Sequence, residues 1–108
     1  MDFLGILFFD RFPDTSRDDL GNAALAYCRV LVSRDGVNFA RFYWSGSNRI
    51  AIIIATDTPE QCATAMRGWE TSSSAATRFR LDDLAQLVYQ EQLTDPRYST
   101  ATYRGAGR

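Results

Sequence analysis

Two short runs, FLGILFF at 3–9 and RIAIIIAT at 49–56, constrain this chain more than anything else in it. Each is apolar at odd and even positions alike, so as a strand each would be buried on both faces. Strands of that kind belong at the centre of a sheet. Both are far shorter than the ~20 apolar residues a membrane-spanning helix needs. The rest of the chain must then supply the edges of that sheet and something to cover it.

Those pieces can be read in order. Ser16 with Asp19 resembles a capping box, and Leu20, Ala24, Tyr27, Cys28 and Leu31 follow at helical spacing. This first helix should stop near Val32, ahead of Gly36. Residues 37–44, VNFARFYW, form a second strand, with Phe39, Arg41 and Tyr43 on one face and Phe42 and Trp44 on the other. Ser45-Gly46-Ser47-Asn48 is a turn by composition, so this strand and RIAIIIAT make a hairpin.

A second helix opens with several agreeing signals. Thr58 suits the N-cap, Pro59 suits the first helical position, and Gln61 completes a T-x-x-Q box. Asp57 reads as part of that cap. Cys62, Ala65, Met66 and Trp69 then form a core-facing stripe. After a polar loop at 70–75, ATRFRL at 76–81 alternates like a fourth strand. Asp82-Asp83 looks like a helix start, and Leu84, Leu87 and Val88 place a third helix over 83–93. The stretch 93–108 is a polar tail; the alternation from Tyr98 to Tyr103 suits either a strand reaching over a partner chain or a frayed terminus.

The expected architecture is therefore α+β: a ferredoxin-like β-α-β-β-α-β sheet with a C-terminal helix, in one domain spanning 1–108. In that arrangement the first and third strands are central, which agrees with their two apolar faces. Two helices cover only one face of the sheet. Ile50, Ile52 and Ile54 should meet the helices, leaving Ala51, Ile53 and Ala55 on the other face. An uncovered apolar sheet face is an interaction surface. A second copy of the chain, a ligand, or the terminal helix and tail would each cover it, and a face-to-face homodimer is the expectation.

Composition limits the chemistry. All 12 basic residues are Arg, with no Lys and no His. That excludes Ser–His and Cys–His nucleophile pairs, histidine zinc or haem sites, phosphate-loop lysines and Schiff bases. Scattered carboxylates and two distant cysteines make no metal set, and no cofactor is expected. Cys28 and Cys62 lie on apolar helix faces and read as free core thiols, which points to a reducing cytoplasm. The start, MDFLGILFFDRF, lacks the positive region of a signal peptide. A net charge of −1 gives little attraction to phosphate, and the third strand carries no stacking aromatic, so nucleic acid is not an expected partner.

The remaining candidate site is a group of arginines. With Phe42 and Trp44 toward the helices, Arg41 and Tyr43 line the open face. On a fourth strand with Phe79 and Leu81 inward, Arg78 and Arg80 would join them. The set Arg41, Tyr43, Arg78 and Arg80 around the small Ala51 and Ala55 would suit a small anionic or aromatic ligand. The competing reading is that these arginines are solvated or pair with acidic residues across a dimer contact.

The whole pattern resembles the dimeric α/β-barrel superfamily of ferredoxin-like proteins, and within it a group of short bacterial domains. The resemblance rests on Gly36 followed by the aromatic strand to Trp44. It continues in the β-branched strand from Ile50 and the Thr/Asp-rich entry to a helix ending at Trp69. It implies a sheet-to-sheet homodimer that binds a small molecule or serves as an accessory module. The alternative it implies is a cofactor-independent monooxygenase or isomerase acting on a polar aromatic or carboxylic compound. Haem-degrading relatives use a histidine that this chain lacks.

Overall fold

The computed structural model describes residues 3–67 and 72–93. The expectations for Trp69, the first residues of the 70–75 loop and the tail beyond 93 lie outside those residues. The elements are β1 (Phe3–Arg11), α1 (Arg17–Val32), β2 (Val37–Ser45), β3 (Arg49–Thr56), α2 (Pro59–Arg67), α3 (Ser72–Leu84) and β4 (Ala85–Leu93). The four strands form one antiparallel sheet in the order β2-β3-β1-β4. The two doubly apolar runs are thus its central strands, and the fold is the ferredoxin-like one.

Local chemistry explains most boundaries. Ser16 caps α1 by accepting from the Asp19 amide at 3.0 Å, a contact worth ~1 kcal/mol. Thr58 and Gln61 exchange both bonds of a capping box, each at 3.1 Å. Asp57 is not part of that cap. Its carboxylate accepts from the Asn38 side chain, and its amide donates to the Gly36 carbonyl, which ties the start of β2 to the end of β3. Gly36 sits at φ +81°, and a Cβ there would overlap the Gln61 amide of the capping box. Only glycine suits both demands.

The helices lie on one face. Leu7, Phe9, Ile50, Ile52 and Ile54 from the sheet pack against Leu20, Tyr27, Leu31, Cys62 and Leu81, all fully buried. Phe42 and Trp44 pack against the same core. Gly5 on β1 lets α2 settle closely, since a Cβ there would stand 2.5 Å from the Met66 sulfur. Burial pushes the Cys28 thiol up to about 11, and raises that of Cys62 as well. Both are free and buried, and the raised pKa of each disfavours the thiolate. Among the described residues no helix is long and apolar enough to cross a membrane.

The structure corrects the reading of 76–93. ATRFRL is not a strand but the second half of α3, and 83–93 is not a terminal helix but the edge strand β4. Asp82 and Asp83 end a helix rather than start one. The apparent helical spacing of Leu84, Leu87 and Val88 arises from a bulge. The β1–β4 register slips between Phe8 and Phe9, so that Val88 is the extra residue between Leu87 and Tyr89. That insertion breaks the period of two by which a strand is recognised.

Candidate functional site

The correction at 76–93 separates the four expected ligand residues. Arg41 and Tyr43 do share the open face of β2, opposite Phe42 and Trp44, and Tyr43 is exposed. Arg78 and Arg80 are on α3, across the sheet from them. Arg80 is exposed, and Arg78 is buried at 7% exposure. Among the described residues no single pocket gathers all four.

Arg78 organises the helix side. Its Nη1 donates to the Tyr27 hydroxyl at 3.2 Å and to the Met66 carbonyl at 3.0 Å. The Tyr27 hydroxyl in turn donates to the Ala65 carbonyl at 3.4 Å. The guanidinium carbon lies 5.3 Å from the Phe9 ring centre and 5.7 Å from that of Tyr27. These contacts join α1, α2, α3 and β1 around one cation. Burial raises the Tyr27 phenol pKa, and the charge of Arg78 opposes that rise.

The positive charge is incompletely balanced. Asp82, one turn on, brings a carboxylate oxygen to 3.5 Å from Nε, but Nε makes no hydrogen bond among the described residues. An arginine stays protonated at any ordinary pH, and a buried charge is costly without full pairing. Arg78 also forms part of the wall of a cleft of about 440 Å³ between α2 and β4. Ala63, Met66 and Leu87 give that cleft an apolar surface, while Arg67, Gln90 and Gln92 add polar groups. Gln92 is held by donating to the Pro59 carbonyl at 2.8 Å. The volume falls within the range of small-molecule sites, and the cleft is open to solvent.

The open face has a different order. Strand register places its side chains in four rows running from β2 through β3 and β1 to β4. Phe39, Ala55, Leu4 and Leu93 make a wholly apolar row. Arg41, Ile53, Ile6 and Glu91 make the next, with a charge at each edge. Tyr43, Ala51, Phe8 and Tyr89 follow, and Ser45, Arg49, Asp10 and Gln86 make a wholly polar row. Arg41 lies 4.3 Å over the Phe39 ring, the Phe8 and Tyr89 rings meet at a tilt of 49° with centres 5.8 Å apart, and Tyr89 donates to Glu91. Arg49 makes two bonds to Asp10, at 2.6 and 3.1 Å, which hold the Asp10 carboxyl below its usual pKa. Among the described residues no group of acidic and thiol side chains could hold a metal ion.

Comparison with known proteins bears on the fold. No family model and no curated protein matches the chain. Solved structures do. SnoaB from Streptomyces nogalater, a cofactor-independent oxygenase, superposes with a TM-score of 0.76 at 9% identity, over 94% of this chain and 98% of that one. Rv0793 from Mycobacterium tuberculosis gives 0.69 at 15% identity, over 88% and 95%. MupZ from Pseudomonas fluorescens gives 0.58 at 15% identity, over 84% and 69%. The chain thus has the ferredoxin-like fold of the dimeric α/β-barrel proteins. At these identities the likeness is one of fold.

Proposed function

We propose that the chain is a small-molecule-binding subunit that works as a cytoplasmic homodimer. The open sheet face is the dimer contact, and the cleft between α2 and β4 is the ligand site. The ligand is a small organic anion whose charged end meets Arg78 and whose apolar part lies on Met66 and Leu87. The observation that carries this is a buried, incompletely paired guanidinium in the wall of a 440 Å³ cleft. Arg41 and Tyr43, expected as ligand residues, become contacts between the two copies. Arg80, exposed on α3, has no part in this site. The two buried free thiols support the reducing compartment.

A second reading, cofactor-independent oxygenase or isomerase, is favoured by the fold shared with SnoaB, described as a cofactor-independent oxygenase.

Salicylate tests the site, because it joins a carboxylate to a small aromatic ring. In an NMR titration its binding should shift the side-chain amides of Gln90 and Gln92 and the Nε–H of Arg78. Arg78→Met keeps much of the side chain's bulk, removes the charge, and should weaken binding about tenfold or more. Shifts confined to the open face around Tyr43 and Tyr89 would move the ligand there instead. Oxygen uptake on adding a phenolic compound, with no cofactor present, would select the oxygenase reading.

A further inference from the structure

Arg11, the last residue of β1, is a half-buried guanidinium held by neutral groups alone. Its Nη1 donates to the Thr15 carbonyl, and its Nη2 donates to the Asn48 side chain at 2.7 Å. Its backbone amide donates to the Asn48 carbonyl, also at 2.7 Å, so the β2–β3 turn is fastened to Arg11 twice. Nε is buried and makes no hydrogen bond among the described residues. The neighbouring carboxylate, Asp10, gives both of its oxygens to Arg49 instead. Arginine does not shed its proton at ordinary pH, and a partly buried charge without a counter-charge is costly. One positive charge at this end of the sheet is therefore fixed in place and not balanced.

A cleft of about 520 Å³ opens there, between the end of β1 and the β2–β3 turn. Arg11 and Arg49 both line it, with Ser45 and Ser47. Arg49 meets Asp10 through Nε and Nη2. Among the described residues its Nη1 makes no hydrogen bond, and neither do the two serine hydroxyls. We infer that this cleft is a binding site for a phosphate group, free or carried on a small molecule. Two guanidiniums and two hydroxyls offer more donors than the two oxygens of a carboxylate can use. A phosphate brings three oxygens and more charge, and arginine is suited to it. Arg11 supplies the unbalanced charge, and Arg49 Nη1 with the hydroxyls of Ser45 and Ser47 supplies the further bonds. Two neutral acceptors orient the Arg11 guanidinium beforehand without neutralising it, which lowers the ordering cost of binding. Pro13 gives the rest of the cleft an apolar patch for a carrier molecule. The α2–β4 cleft lies at the other end of β1, where Gln90 and Gln92 pair with Leu7 and Gly5. The phosphate site therefore rests on neither the ligand nor the homodimer proposed above.

Inorganic phosphate, phenyl phosphate and acetate test this, each titrated into the wild-type protein at one constant ionic strength and followed by NMR. Both phosphates should shift the Nε–H signals of Arg11 and Arg49 to saturation, and acetate should bind about tenfold or more weakly. Tighter binding of phenyl phosphate than of inorganic phosphate identifies a phosphorylated small molecule; equal affinities identify free phosphate. Arg11→Gln should weaken phosphate about tenfold or more. Because Arg11 also ties the turn to β1, Ser47→Asp serves as the second variant. Residue 47 is exposed and aspartate suits a turn, so its Tm should stay near that of the wild type. Its carboxylate faces the ligand's charge and should weaken phosphate about tenfold as well. Asp10→Asn removes the opposing charge and should tighten phosphate several-fold.

The absence of any saturable shift at Arg11 and Arg49 with either phosphate overturns the site. So does phosphate binding that is unchanged in Ser47→Asp folded by circular dichroism. Acetate binding as tightly as phosphate overturns the assignment of the ligand's chemistry.

Discussion

The two faces of this sheet are built from the same four strands and follow different rules. On the helix face, Leu7, Phe9, Ile50, Ile52 and Ile54 are fully buried within one chain. There the alternation of the strands meets the spacing of the helices, and almost any polar group would be a defect; Arg78 stands out for that reason. On the open face, Leu4, Ile6, Phe8 and Ile53 are apolar, but Tyr43 is 51% and Tyr89 50% exposed. Charges sit at chosen edges and one end. A face that only met water would not need that apolar row, and a closed core would not tolerate that polar one. The helix face is a finished core; the open face mixes apolar and polar groups as an interface does, apolar at one end and polar at the other.

Neighbouring residues on β3 give the largest contrast. Ile52→Ala removes a fully buried side chain from the core and should cost ~2–5 kcal/mol of unfolding free energy, read from urea melts. Ile53→Ala, one residue on and facing the other way, should cost the fold of each chain less and instead raise the concentration needed for association. Equal losses of unfolding free energy at both positions, with association unchanged, would erase the distinction between the faces.

A smaller effect probes the polar end. Arg49 holds the Asp10 carboxyl below its ordinary pKa, chiefly through the hydrogen bonds between them. A carboxyl whose folded pKa is depressed contributes stability above the unfolded value of ~3.9, and that contribution is lost as pH falls through the folded value. Both side chains are well exposed, so solvent screens the pair and the effect is slight. Arg49→Gln should lower Tm modestly at neutral pH, and the gap from the wild type should close as the pH drops below ~4. A gap that stays constant with pH would mean the pair contributes nothing through its charge.

Much of this was legible because local chemistry and burial agree over residues 3–67. The double apolarity of β1 and β3 set the sheet order. Thr58, Pro59 and Gln61 marked one helix start, Ser16 the other, and Ser45–Asn48 the hairpin. Between 72 and 93 the two disagree. Phe79 on α3 is exposed at 51%, although in ATRFRL it suggests an inward strand residue. Acidic residues ordinarily favour a helix N-terminus, yet Asp82 and Asp83 close α3, where Asp82 lies beside Arg78. The bulge at Val88 gives an edge strand the spacing of a helix.

That misreading is also why the cleft was missed. Arg78 becomes a buried residue only when 72–84 is helical, with Arg78 and Leu81 three apart on one face and Asp82 four residues on. Its partners Tyr27 and Met66 are distant in sequence, and nothing in Gln90 or Gln92 alone marks a site.

The most direct test of the central claim, that the open face belongs to a second copy, is the mass of the wild-type protein by sedimentation equilibrium across a range of micromolar concentrations. The account predicts twice the chain mass of 12.2 kDa, falling toward one chain only on dilution or when Ile53 is replaced. A single-chain mass at every concentration would contradict it.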